Sequence, residues 1–228
     1  MEPAISAWDP ATLLGRPLNT VEERGTPSTL YAAGTMRIPL PHPRVAIVGT
    51  RQATVGALAD AGDMAKALTR GAKAVIVSGL ARGIDAAAHR AAIGAGGKTI
   101  AVLETSLDRA YPAENRSLQA EIVKNHLAVS PFKVGSEAYP TNFVHRNRVM
   151  ALIADASVIV EAGEGSGSLC HGYEALKLGR PLFIWKRLFG SSLEWPKEMA
   201  GHGALKLSDP MEILDHLPST NNAVQISA

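Results

Sequence analysis

Three loops of the sequence combine glycine, serine and arginine where an apolar run gives way to a helical pattern. They are Gly49-Thr-Arg51, Ser78-Gly-Leu-Ala-Arg-Gly83 and Gly163-Glu-Gly-Ser-Gly-Ser168. Glycine lets a ligand approach the backbone closely, the N–H groups at a helix start are free to donate, and guanidinium groups pair with anions. The chemistry that these residues predict is phosphate binding.

A fourth element, Arg146-Asn-Arg148, adds two guanidinium groups at the start of a helical pattern. Each arginine alone could be a surface charge, and each glycine loop an ordinary turn. Several arginines with few acidic neighbours nevertheless favour an anion with more than one phosphate, in either a nucleotide or a strand. The candidate phosphate-binding residues are Gly49, Arg51, Ser78, Gly79, Arg82, Gly83, Arg146, Asn147, Arg148, Ser166, Gly167 and Ser168.

Catalytic chemistry has little support in the sequence. Glu161 and Glu174 flank the third loop and are the only candidates for acid–base work near it. A carboxylate there could assist glycosidic cleavage of a nucleotide, but no pair is poised for catalysis, so no catalytic residue is predicted. Asp85 at a helix start, His89 and Cys170 are interpreted as structural.

Cofactor motifs are also missing from the sequence. No Gly-x-Gly-x-x-Gly follows the first strand, and no Gly-x-x-x-x-Gly-Lys-Ser/Thr, His-Glu-x-x-His or paired-cysteine spacing occurs. These motifs would indicate a dinucleotide, a nucleoside triphosphate or a metal. We therefore expect no cofactor and no metal.

The elements that must position these loops follow from alternating strand and helix patterns. Strands are predicted at 45–48, 74–77, 99–103, 127–130, 157–160 and 181–185, and helices at 56–70, 83–93, 113–125, 143–153 and 168–178. This alternation predicts an α/β fold with a doubly wound, mostly parallel sheet and helices on both faces. Right-handed crossovers then place the strand-to-helix loops along one edge of the sheet.

The chain divides into three predicted parts. Residues 1–43 are expected to be an irregular lead-in with a short extended segment, and residues 44–217 to be the Rossmann-like domain. The domain ends in a weak strand at 204–207 and a helix at 209–217 capped by Ser208. Residues 218–228 are expected to be a polar tail.

The bulk composition is that of an ordinary globular protein. Of 228 residues 46% are hydrophobic, and the formal net charge of +2 is too small to indicate a nucleic-acid partner by itself. No apolar run approaches the roughly 18 residues of a membrane span, and the start of the chain lacks the pattern of a signal peptide. One cysteine fits a reducing compartment. We expect a cytoplasmic protein without a membrane partner.

The loops occur together in an order that resembles the DprA/Smf (DNA-processing protein A) family over about residues 26–185. The motifs are Val45-Ala-Ile-Val-Gly-Thr-Arg51, Ser78-Gly-Leu-Ala-Arg-Gly-Ile-Asp-Ala-Ala-Ala-His-Arg90, Thr99-Ile-Ala-Val-Leu103, Leu107-Asp, Tyr111-Pro-Ala-Glu-Asn115, Arg146-Asn-Arg148 and Ser166-Gly-Ser-Leu169. The second of these motifs is the most specific.

The resemblance implies an extended Rossmann fold that binds single-stranded DNA in a basic pocket, usually without catalysis. It implies loading of a RecA-type recombinase during natural transformation, and a homodimer. The candidate phosphate-binding residues are those that match the family's motifs. Tyr111, Tyr139 and Phe143 are the plausible base-stacking partners, although all three could instead be packing residues.

This sequence also departs from the family pattern. It leaves no room for the helical N-terminal domain and winged helix that members often carry. Glu104-Thr-Ser106 replaces a glycine-rich turn and brings a carboxylate to the site, where it could weaken polyanion binding. Cys170-His-Gly-Tyr173 replaces small residues, and Trp185-Lys-Arg187 adds two positive charges.

The alternative function is that of a nucleotide-binding or nucleotide-cleaving relative, similar to the cytokinin-activating phosphoribohydrolases of the same broader fold. Those enzymes carry a Pro-Gly-Gly-x-Gly-Thr-x-x-Glu loop. Here, Gly163-Glu-Gly-Ser-Gly-Ser-Leu-Cys-His-Gly-Tyr-Glu174 imitates that loop only loosely.

Overall fold

The computed structural model describes residues 4–217, so the predicted polar tail at 218–228 lies outside the described residues. Nine strands form one sheet in the order β1-β2-β6-β5-β4-β3-β7-β8-β9. The strands are β1 Ser6–Trp8, β2 Leu30–Gly34, β3 Arg44–Val48, β4 Val75–Ser78, β5 Thr99–Val102, β6 Leu127–Ser130, β7 Ala156–Ile159, β8 Leu182–Trp185 and β9 Leu205–Leu207. β3 to β9 pair in parallel, which confirms the predicted fold class.

Helices cover both faces of the sheet. They are α1 Pro10–Leu14, α2 Thr20–Glu23, α3 Val55–Ala72, α4 Ile84–Gly94, α5 Arg116–Asn125, α6 Asn142–Ile153, α7 Gly167–Lys177, α8 Lys186–Phe189 and α9 Trp195–Gly201, with 3₁₀ segments at Ala113–Asn115 and Pro210–His216. In β3, Ala46 and Val48 pack with α6 and α7, whereas Val45 and Ile47 pack with α3 and α4. The alternation of side chains along a strand thus feeds two separate apolar layers.

Residues 4–43 are more regular than the lead-in with one short extended segment that the sequence predicted. β1 pairs antiparallel with β2, and β2 pairs antiparallel with β6, so this segment extends the sheet at one edge. Asn19 and Glu22 form a capping box at the start of α2. β2 corresponds to the short extended segment that the sequence predicted. The other elements were missed because helices and strands of three to five residues are too short to show a period.

Two predicted helix ends differ from the structure. α3 continues through Gly71 to Ala72, and Lys73 adopts the left-handed conformation that ends it. The last predicted helix is a 3₁₀ segment whose cap is Asp209 rather than Ser208. α8 and α9 were not predicted. Among the described residues, no helix is both long and apolar enough to cross a membrane.

The strand order creates a switch point beside β3. The chain runs from β3 outward through β4 and β5 to β6, then returns to place β7 on the other side of β3. The loops after β3 and β7 therefore diverge from each other and leave a crevice at the carboxyl ends of the strands. Ligands bind at such crevices in open α/β sheets. The predicted loops at Gly49 and Gly163 lie on either side of it.

The opposite end of β3 is held by a buried ion-pair cluster. Asp155, just before β7, accepts hydrogen bonds from the backbone N–H of Arg44 at 2.8 Å, from Arg44 Nη2 at 2.9 Å and from His42 Nδ1 at 2.8 Å. Burial raises the pKa of Asp155, but the hydrogen bonds and charges of His42 and Arg44 outweigh it, so the pKa lies below its usual value. This cluster fixes β7 against β3 under the crevice.

Asp155→Asn should therefore destabilise the protein by about 3–5 kcal/mol, because the guanidinium of Arg44 would keep its charge in the interior without a charged partner. Urea unfolding at neutral pH measures the change. Asp63→Asn is the matched control, since Asp63 is 77% exposed in its pair with Lys66, and it should change stability by less than about 0.5 kcal/mol. Equal effects of the two substitutions would contradict a structural role for the cluster.

Candidate functional site

The crevice at the switch point is a cleft of about 490 Å³. Two further clefts, of about 550 and 450 Å³, adjoin it, and Arg51 lines all three. We call the three clefts together the rim groove. Its side chains with polar or aromatic groups include Arg51, Gln52, Arg82, Asp85, Glu104, Tyr111, Glu114, Tyr139, Phe143, Arg146, Asn147, Glu164, Ser166, Ser168 and His171.

Arg51 is the exposed cation at the centre of the rim groove. Its side chain is half exposed, and Nη2 donates to both carboxylate oxygens of Glu104 at 3.1 and 3.3 Å. The preceding Gly49 packs against α4, because a Cβ there would collide with Ile84 and with the backbone oxygen of Glu161. Gly49 therefore allows the turn that presents Arg51 to pack closely. It lines the cleft, and its packing alone explains the glycine.

Arg146 lies at the floor of the groove with its side chain 6% exposed. Its Nη1 is 3.7 Å from Asp85 Oδ2, and its Nη2 is 3.6 Å from Glu104 Oε2. Its Nε has no hydrogen-bond partner within the described structure. Gly79 is required beside it, since a Cβ at this position would overlap the Arg146 guanidinium. A glycine that the sequence suggested for ligand approach thus makes room for a cation.

The loop that precedes α4 is not the free anion-binding turn that the sequence predicted. Asp85 accepts from the backbone N–H groups of Gly79 at 3.1 Å and Ala81 at 3.3 Å. Burial raises the pKa of Asp85, opposed by the charge of Arg146 and by these hydrogen bonds. Ser78 is buried and donates to the backbone oxygen of Ile47 at 2.6 Å. Two loop N–H groups before α4, those of Gly79 and Ala81, are therefore occupied by the protein's own carboxylate.

Gly83 is also explained by its backbone. Its φ of 73° lies in the left-handed region, and a Cβ would collide with the backbone oxygen of Thr50. Gly83 therefore positions the turn between β4 and α4 and does not line the groove in the structure. Ser78 and Gly79 are likewise absent from the lining of all three clefts.

The third loop, Gly163–Ser168, forms the opposite wall of the first cleft. Ser166 is the N-cap of α7 and accepts from the backbone N–H of Ser168 at 3.3 Å. Asn147 lines the cleft as well, and its Nδ2 donates to the backbone oxygen of Gly167 at 3.0 Å. The N-terminus of α7 thus faces the same cleft as Arg146. Its partial positive charge favours an anion there.

The two remaining arginines of the prediction have different outcomes. Arg82 lines the second cleft with its side chain exposed, and it pairs with Glu114. Arg148 does not line the groove. It lies 3.9 Å from Glu174 and packs against Gly25, on another side of α6 from Arg146.

The candidate acid–base residues do not face a substrate site together. Glu161 accepts hydrogen bonds from the backbone N–H and hydroxyl of Thr54, at 2.8 and 2.9 Å, and so holds the start of α3. Glu174 contacts Lys177 and Arg148 outside the three clefts. Burial raises the pKa of the Cys170 thiol, which disfavours the nucleophilic thiolate.

The balance of charge in the groove differs from the sequence prediction of arginines with few acidic neighbours. Three arginines line it, but so do four carboxylates: Asp85, Glu104, Glu114 and Glu164. Each of the arginines contacts at least one of these carboxylates. Only the acidic residue at 104 was recognised from the sequence as part of the site, through its departure from a glycine-rich turn.

Aromatic side chains lie beside Arg51 in the third cleft. Tyr111 and Tyr139 are 51% and 58% exposed, and Phe143 is partly buried between the first and third clefts. The structure thus brings together the three stacking candidates of the sequence, of which Tyr111 lies far from Tyr139 and Phe143 along the chain. Among residues 4–217 no group of three or more His, Cys, Asp or Glu side chains is arranged to hold a metal ion.

A family model described as DNA recombination-mediator protein A matches residues 16–218. The chain belongs to this family. It is 33% identical over 196 residues to the DNA processing protein DprA of Bacillus subtilis, covering 86% of this chain and 66% of that protein. It is 38% identical over 167 residues to DprA of Streptococcus pneumoniae, covering 73% of this chain and 58% of that protein.

A solved structure of DNA processing protein A from Helicobacter pylori is also similar, with a TM-score of 0.76 and 28% sequence identity, covering 92% of this chain and 94% of that one. That work concerns the single-stranded DNA binding mode of the H. pylori protein. These matches confirm the resemblance and the Rossmann-like architecture. The chain spans at most about two thirds of the length of the curated relatives named above.

Gly79→Ala should destabilise the protein by about 1–3 kcal/mol, because the added methyl overlaps the buried Arg146 guanidinium. Gly94→Ala is the control. It lies in α4 with nothing within 4 Å of the new Cβ, so it should be neutral or stabilise by up to about 1 kcal/mol. Thermal or urea unfolding of both variants measures the difference, and equal stabilities would refute the contact.

His171, a buried side chain at the first cleft, gives a testable dependence of stability on pH. It donates from Nδ1 to the backbone oxygen of Asn147 at 3.3 Å and accepts at Nε2 from Ser157 at 2.9 Å. Burial lowers the pKa of His171 to about 4. The unfolded chain binds this proton at about pH 6.5, so stability is lost as the pH falls from about 6.5 towards 4.

The His171→Gln variant should lose the contribution of this proton to the pH dependence of the free energy of unfolding. Between pH 6 and 4.5 its free energy of unfolding should fall about 1.4 kcal/mol per pH unit less steeply than that of the wild type. Urea titrations at several pH values measure the slope. His145→Gln, at an exposed position on α6, should keep the wild-type slope. An unchanged slope in His171→Gln would show that His171 is not buried in the neutral form.

Proposed function

We propose that this protein binds single-stranded DNA in the rim groove, in a DNA-processing role. The observation that carries the proposal is that three adjoining clefts share one exposed arginine, Arg51, and so offer a path longer than a single nucleotide. Arg51 and Arg82 are the exposed cations along this path. The single-stranded DNA binding of the H. pylori protein supports the same ligand class.

The mixture of groups along the groove suits a strand better than a duplex. Exposed aromatic rings offer stacking surfaces to unpaired bases, and arginines offer charge to the backbone between them. Tyr111 and Tyr139 flank the third cleft, which also contains Arg51. Because neither stacking nor phosphate contact depends strongly on base identity, we expect weak sequence selectivity.

We infer further that binding occurs without catalysis. Glycosidic cleavage of a nucleotide requires a carboxylate free to act on the sugar or on water. Glu161 is instead committed to Thr54, and Glu174 lies outside the groove. This arrangement supports a binding protein over a nucleotide hydrolase.

The finer assignments on recombination and oligomeric state rest on the family resemblance alone, and the cellular location rests on the sequence composition. Recombinase loading, a role in natural transformation, a homodimer and a cytoplasmic location stay predictions. The curated relatives are longer than the matched region, so their activities as whole proteins extend over segments that this chain does not match.

Arg51→Ala and Arg82→Ala should each weaken binding of a fluorescent oligothymidylate. The wild-type dissociation constant at physiological salt should lie within the non-specific range of about 10⁻⁴–10⁻⁶ M or below it. Binding should weaken as salt rises, because phosphate contacts release counterions. Each substitution should reduce the slope of log K against log salt by about one unit. Fluorescence anisotropy over a series of salt concentrations measures both quantities.

Arg70→Ala provides the matched control, because Arg70 is exposed in the last turn of α3, at the edge of the sheet opposite the groove. It removes the same charge and should leave the affinity and the slope within error of wild type. Absence of binding at low salt would refute the proposed function. Release of free base from a nucleoside monophosphate would refute the non-catalytic role.

A further inference from the structure

Glu104 connects two of the three arginines of the rim groove. Its Oε2 lies 3.1 Å from Arg51 Nη2 and 3.6 Å from Arg146 Nη2. The side chain is only 15% exposed although it lies at the carboxyl ends of the strands, where the groove opens. Asn142, which is buried, donates to the backbone oxygen of Glu104 at 3.1 Å and fixes the start of this turn. The carboxylate is therefore held at the point where the two guanidinium groups converge.

A carboxylate and a phosphate compete for the same donors of a guanidinium group. Both oxygens of Glu104 already accept from Arg51 Nη2. A phosphate that reaches Arg51 must displace these contacts or share them, and it approaches a negative charge as it does so. Binding at this position is an exchange of one anion for another rather than an addition of an anion to a free cation.

We propose that Glu104 is an internal competitor for the phosphate of the bound strand and sets the affinity of the groove. The inference rests on the proposed function. A ligand with one phosphate gains little by replacing Glu104, whereas a strand that also contacts Arg82 gains a second phosphate contact in the same event. Glu104 thus weakens the binding of any phosphate at Arg51, and a strand offsets this loss through its further contact with Arg82. Glu104 lies where the family resemblance predicts a glycine-rich turn. The competing carboxylate is therefore a feature of this chain rather than of the family pattern.

Glu114 provides an internal comparison. It pairs with Arg82, but the side chains of both residues are more than half exposed. Water and salt screen such a pair strongly. Glu104 and its partner Arg146 are both largely buried, so their interaction is screened less. Removal of the charge at 104 should therefore affect binding more than removal of the charge at 114.

The test measures oligothymidylate binding by anisotropy for wild type, Glu104→Gln, Glu104→Ala and Glu114→Gln, with circular dichroism to verify folding. Both variants at 104 should bind on the order of tenfold more tightly at low salt, the size expected for one partly screened charge–charge interaction. The gain should shrink as salt rises. The inhibition constant of thymidine monophosphate, obtained from competition with the oligonucleotide, should fall by a similar factor in the variants at 104, because its phosphate meets the same carboxylate at Arg51.

Glu121→Gln, at an exposed position on α5, removes the same charge outside the groove. It should leave the affinity unchanged. The gain from Glu104→Gln should be smaller in an Arg51→Ala background, because the shorter of the two contacts of Glu104 is with Arg51. If wild type binds and Arg51→Ala weakens binding, but neither variant at 104 binds more tightly, the competitor is refuted and the proposed function stands. If neither wild type nor the variants at 104 bind at low salt, both inferences fail.

Discussion

The buried guanidinium of Arg146 is the constraint on which the rest of the site depends. A charge in the interior is tolerated only with charged or hydrogen-bonding neighbours, and here these are Asp85 on α4 and Glu104 after β5. Gly79 leaves the space that the guanidinium occupies. Two strand-to-helix connections, those after β4 and β5, are thereby fixed around one side chain of α6, and the groove takes its shape from them.

The same interactions give the groove an unusual electrostatic character. Its arginines are positioned by carboxylates before any ligand arrives, so their side chains are ordered at the point where a phosphate would bind. This arrangement lowers the ordering cost of binding but makes the ligand compete with the protein's own anions. A ligand with several phosphates is favoured, because it can replace more than one contact at a time.

Several predicted site residues have structural roles in the same machinery. Ser78, Gly79 and Gly83 shape the turn after β4, and Gly49 allows the turn after β3 to pack on α4. Arg148 belongs to a different surface from Arg146. Residues two positions apart on a helix point about 200° apart, so an Arg-x-Arg sequence cannot direct both side chains into one cleft. That part of the result was available from helical geometry alone.

The order of strands and helices in the main domain was determined by the sequence itself, because apolar runs and helical periods are local properties of the chain. The family-specific segment from Ser78 to Arg90 likewise identified the edge of the sheet that carries the site. The tertiary structure decided which charges meet there. Glu104 and Glu114 are 53 and 32 positions from the arginines they contact, and only the packing of separate crossovers brings such partners within hydrogen-bonding distance.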